Sequence, residues 1–167
     1  WSVPFGALII SLRGQWPDVL AAVRNTKVLI RLLAAAAIIA VNWLVYIYAV
    51  QSQQIFEASL GYYINPLIYV LVGVALLGER LTLAQKLAVV LAGIGVSTLT
   101  IYGGRFPLVA LTLGITFTAY GVIRKTTDVG AMPGLFVETV ILAPIAALWM
   151  TFLLPSSDAA FGTSTTM

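Results

Sequence analysis

The chain has 167 residues, 60% of them hydrophobic and only 9% charged, with a mean hydropathy of +1.02. A soluble domain keeps about a quarter of its residues charged to hydrate its surface, so the composition excludes that class and points to a polytopic membrane protein. The net charge of +3 comes from Lys and Arg scattered through short connections, which argues against nucleic-acid binding. The lack of any Cys or His excludes thiol chemistry, disulfides and Cys or His metal ligation.

In chain order, the first apolar run (1–12) is too short to cross ~30 Å of hydrocarbon at ~1.5 Å per residue. It lacks the basic start and cleavage signal of a signal peptide, so it reads as the back half of a helix and the chain as a fragment. The stretch GQWPDVLAAVRNTK has a helix-start signal in Pro17-Asp18, with Val19, Leu20 and Val23 at helical spacing. With Trp16 suited to the headgroup region, it predicts a short amphipathic helix lying on the inner surface. Apolar segments follow at 29–50, 58–77, 85–102, 107–123 and 134–154. The connections carry turn-formers such as Gly14, Asn25, Gly78, Gly103-Gly104, Gly130 and Pro133. No apolar run alternates as a barrel strand would, so the expected fold class is all-α, a membrane helix bundle of about six spans.

Assigning segment ends alternately to the two sides puts Arg13, Arg24, Lys27, Arg31, Arg80, Lys86, Arg124 and Lys125 on one side and Arg105 alone on the other. The positive-inside rule makes the first side cytoplasmic, with loops 13–31, 78–86 and 124–133 there and the tail 155–167 outside. Glu79-Arg80 is expected to hold the inner turn after Gly78.

In hydrocarbon a polar side chain has no solvent partner, so polar exceptions are the informative positions. Asn42 and Tyr46, four apart, share a face of the second span, with Gln53 continuing the line. Gly61, Tyr62, Asn65 and Tyr69 fall within roughly a 100° arc of the third. Thr112, Thr116 and Tyr120 form a stripe on the fifth, although Thr hydroxyls often bond back to their own helix. Together these faces predict a shared, partly hydrated interior, or else hydrogen bonds between helices. Pro66 removes a backbone donor and crowds the Tyr62 carbonyl, so a kink is expected, as Pro4 and Pro144 also allow on the first and last spans. Glu57, at the outer mouth, suits a helix N-terminus electrostatically; the other reading is a role in solute or proton entry. Glu138, about one turn into the last span, is a candidate proton site, or a partner of Arg124 or Lys125. Gly73, Gly93, Gly95, Gly114 and Gly121 allow close helix approach.

The stretches NWLVYIYAV (42–50), EASLGYYINPLIYVLVGVALLGERLTLAQ (57–85) and YGVIRK (120–125), then ET at 138–139, resemble the RarD branch of the EamA-type drug/metabolite transporter superfamily. The resemblance covers nearly the whole chain. It implies ten spans built as two inverted five-helix repeats, of which 1–102 would hold most of the first and 103–167 the first two helices of the second. It also implies an inner-membrane permease, with chloramphenicol linked to the branch name.

The expected function is therefore secondary transport of a small organic solute or drug-like metabolite by alternating access. Asn42, Tyr46, Tyr62, Asn65 and Tyr69 would line a central cavity, with Gly61 and Pro66 at the gate and Glu138 or Glu57 in proton or ion coupling. Partners would be the solute and the bilayer, with a homodimer left open, and no cofactor or metal is expected. No Walker-type motif is present. An intramembrane enzyme lacks its His base, and Asp18, Asp128 and Asp158 lie in connections or tail rather than as a dyad within spans. The alternative is a non-transporting structural or sensory membrane protein.

Overall fold

The computed structural model describes residues 1–77, 80–103 and 107–153. The turn expected at Gly78-Glu79, the cation Arg105 and the tail 155–167 lie outside these residues. Among the described residues seven helices follow one another: α1 (Ser2–Leu12), α2 (Trp16–Arg24), α3 (Thr26–Gln51), α4 (Ile55–Leu77), α5 (Leu83–Gly103), α6 (Leu108–Thr126) and α7 (Ala131–Leu153). No strand occurs among the described residues. Thr26–Gln51, Ile55–Ala75, Leu108–Thr126 and Ala131–Phe152 are long and apolar enough to cross a bilayer, while Ser2–Leu12 and Leu83–Thr98 are shorter apolar stretches. The helices expose Leu44, Ile47, Leu71, Ile115, Leu148 and Phe152, which suits a hydrocarbon solvent and would be a liability in water.

Local chemistry sets the helix ends. Gly14 closes α1 at φ +63°, with the Gln15 amide donating to the Ile10 carbonyl and the Gly14 amide to Ser11, a Schellman turn. Asn25 stops α2 in an extended conformation, and its Oδ1 then accepts from the Lys27 amide at 3.1 Å to start α3. Thr82 and Gln85 form a capping box on α5: the Thr82 amide donates to Gln85 Oε1 at 2.9 Å and the Gln85 amide to Thr82 Oγ1 at 3.3 Å. α3 ends in a second Schellman turn whose left-handed residue is Gln53 (φ +59°), not glycine. Gln53 thus lies beyond the helix, and the polar line from Asn42 through Tyr46 stops inside α3.

The chain packs as two compact units, one of Trp1–Ala36 with the segment from Thr127 onward and the other of Ala37–Thr126. In the first, α1 and α2 pack on α7. Ile10, Val19, Ala22, Val28, Leu32 and Val137 form its core. The Phe136 ring lies where a side chain on Gly6 would stand, 2.9 Å from the position of a Cβ, and meets Trp16 edge-on at 5.7 Å. In the second unit α6 lies along α4, and α5 also packs on α4.

Candidate functional site

The second unit holds the polar positions of α3, α4 and α6. Lipid is as apolar as Leu, so burying apolar surface does not draw helices together there; close packing and hydrogen bonds do. α6 offers a small-residue stripe, Ala110, Gly114, Thr118 and Gly121. On α4 the matching contact is Gly61, where a Cβ would stand 3.1 Å from Leu113 Cβ and 3.2 Å from the Ala110 carbonyl oxygen. A Cβ on Gly114 would press to 2.7 Å from Ile68 Cδ1. At Gly121 a Cβ would overlap the Tyr69 hydroxyl. Glycines let the two backbones approach, and that approach brings their polar groups within reach of each other.

Asn42, buried on α3, donates from Nδ2 to the Leu113 carbonyl at 2.9 Å and to Thr116 Oγ1 at 2.7 Å. Thr116 in turn donates to the Thr112 carbonyl at 2.7 Å, the back-bonding expected of that stripe, while its lone pair accepts from Asn42. Asn65, half-buried on α4, accepts at Oδ1 from Thr118 Oγ1 at 3.1 Å. Tyr69 donates to the Phe117 carbonyl at 3.3 Å. Tyr46 meets the edge of Tyr62 with centroids 5.9 Å apart, and Trp43 meets Tyr46 at 5.9 Å.

Asn42, Gly61, Tyr62, Asn65, Leu113 and Phe117 surround one crevice of ≈ 10 Å³, about the room of one water molecule. The structure thus brings Asn42, Gly61, Tyr62 and Asn65 together, sets Tyr46 against the rim through Tyr62, and seats Tyr69 on α6 beside Gly121. The polar stripes meet each other mainly by direct hydrogen bonds. α4 runs without interruption across the exposed Pro66. Glu57 sits half-buried in the first turn of α4, and Glu138 is almost fully buried on α7 in the other unit. Among the described residues no cluster of three His, Cys, Asp or Glu could hold a metal.

Sequence reading did not single out Thr118, the partner of Asn65, or the Leu113 and Phe117 carbonyls. The signal for Thr118 was its place in the small-residue stripe of α6, one turn from Gly114 and nearly one from Gly121.

The EamA-like transporter family is matched over residues 2–101. An uncharacterized transporter of Pseudomonas aeruginosa is 44% identical over 166 residues, covering 96% of this chain and 55% of that protein. Protein RarD of Escherichia coli is 37% identical over 162 residues, with coverages of 97% and 55%. The chloramphenicol-sensitive protein RarD of Pseudomonas aeruginosa is 33% identical over 163 residues, with coverages of 95% and 54%. The chain spans about half the length of the curated relatives it matches. No solved structure matches it.

Proposed function

Because this chain belongs to the EamA-like transporter family, we propose that it is part of an inner-membrane permease that moves a small organic solute by alternating access. The observation that carries the reading is the meeting of Asn42, Asn65, Thr116 and Thr118 among helices that are otherwise apolar. Amides and hydroxyls that bond one another when the helices close can bond a solute when they part. An organic solute needs a pocket of roughly 300 Å³ or more. On this reading the ≈ 10 Å³ crevice is the closed arrangement, and separation of α6 from α3 and α4 would open the solute site. Asn42 and Asn65 then supply donors and acceptors, and Tyr46, Tyr62 and Tyr69 supply aromatic faces that suit an aromatic or amphipathic solute better than a bare ion. Gly61 allows the close approach of the shut state, and Pro66 leaves α4 one backbone bond weaker at the level of the crevice. In this reading Glu138 or Glu57 serves proton or ion coupling. The 1–102 segment belongs to the first five-helix repeat and 103–167 to the second.

One relative is named chloramphenicol-sensitive, which makes chloramphenicol the first solute to try. In the full-length protein reconstituted in liposomes, Asn65→Ala should lower flux of a transported solute by about tenfold, the effect of one lost hydrogen bond to solute at ~1.4 kcal/mol. Thr118→Val, which frees Asn65 from its closed-state partner, should leave more flux than Asn65→Ala. Unchanged flux in Asn65→Ala removes Asn65 from the solute path.

A further inference from the structure

The nine residues of α2 have two apolar faces, and the fold buries only one of them. Val19 and Ala22 are buried in the core of the first unit. Trp16, Leu20 and Val23 fall at i, i+4 and i+7, within roughly a 60° arc at ~100° per residue. They remain 41%, 53% and 46% exposed. An exposed apolar stripe needs a cover, and the charges around it say which. Arg24 follows Leu20 around the helix by about 40°, while Asp18, the sole acid of α2, falls roughly 160° from Leu20. Arg13 at the end of α1 and Lys27 in the first turn of α3 bracket α2 in the chain, and both are exposed. The Trp16 indole donates to Ser11 Oγ at 3.0 Å, so the ring is held at the head of the stripe.

We propose that this face of α2 is a docking surface for anionic lipid: Trp16, Leu20 and Val23 sink to the acyl boundary while Arg13, Arg24 and Lys27 bind the headgroup phosphates. Apolar insertion beside cations is the combination an anionic leaflet rewards, each cation near such a surface strengthening binding about fivefold. A zwitterionic leaflet offers the same hydrocarbon without the net charge, so lipid headgroup charge becomes a determinant of how α2 sits. The inference is independent of which solute the protein carries.

The test uses the full-length protein with Leu20→Cys as its single cysteine, labelled with an environment-sensitive fluorophore, in mixed vesicles of phosphatidylglycerol and phosphatidylcholine. Bromine is placed on one lipid or the other as a contact quencher. Brominated phosphatidylglycerol should quench more than its share of the bilayer predicts. That preference should fall by up to about fivefold for each of Arg13→Gln, Arg24→Gln and Lys27→Gln. Raising the salt concentration on the protein with all three cations present should weaken it in the same way, a check that does not depend on how the substituted proteins fold. Equal quenching by the two lipids overturns the proposal. So does quenching by neither, which would mean that a segment of the longer polypeptide or a second copy covers α2.

Discussion

Tyr69 and Gly121 illustrate how single residues set the helix contact. The Tyr69 ring occupies the space that a Cβ on Gly121 would need, and its hydroxyl donates to the Phe117 carbonyl at 3.3 Å. Gly121→Ala must push the ring away and lose that bond, at a cost of about 1–3 kcal/mol. Tyr69→Phe alone should cost about 0.5–1.5 kcal/mol. In the Gly121→Ala background the second substitution should add almost nothing, because the bond is already gone. Unfolding of the two single variants and the double variant in detergent measures this coupling, and strictly additive losses would disprove it. At this scale the sequence showed that Asn42, Asn65 and Tyr69 stand out, since an amide or phenol in an apolar run lacks a solvent partner. It did not show what they bond. Thr116 stands in the Thr stripe of α6 and Thr118 does not, yet one answers Asn42 and the other Asn65.

The helices themselves were legible because their causes are local. Apolar length marks the spans, and Gly14 and Asn25 bracket α2; the capping box of Thr82 and Gln85 that starts α5 came to light only in the structure. The end of α3 was less legible, since its left-handed position carries Gln53, where glycine is the usual signal. A non-glycine residue in that conformation is strained by on the order of 1 kcal/mol, so Gln53→Gly should raise stability by up to about that amount. A higher midpoint in thermal or denaturant unfolding checks it, and a lower one would show that the Gln53 side chain makes a contact worth more than the strain. α4 continues as helix through Pro66. Proline predicts a missing donor, but whether the helix bends there depends on what packs against that turn.

At the scale of the molecule the charge pattern makes a claim about orientation. Ser52, in the turn between α3 and α4, and Lys27, at the start of α3, are both exposed and lie at opposite ends of one span. In cells, Ser52→Cys should react with a membrane-impermeant maleimide from outside, and Lys27→Cys only after permeabilisation; the reverse pattern would overturn the assignment. What the sequence by itself determined is one-dimensional: an all-helical membrane chain, which stretches form its helices, and which family it joins. Hydrocarbon enforces this, because every span must satisfy its own backbone and match a fixed thickness. Only the tertiary structure decided which faces meet. The bonds that join α3 and α4 to α6 link residues 48 to 74 positions apart, and Gly61, Gly114 and Gly121 let the backbones of α4 and α6 close to contact. That closeness turns the predicted polar interior into a crevice of ≈ 10 Å³ held by direct hydrogen bonds, because in lipid a polar group finds its partner on a neighbouring helix rather than in solvent.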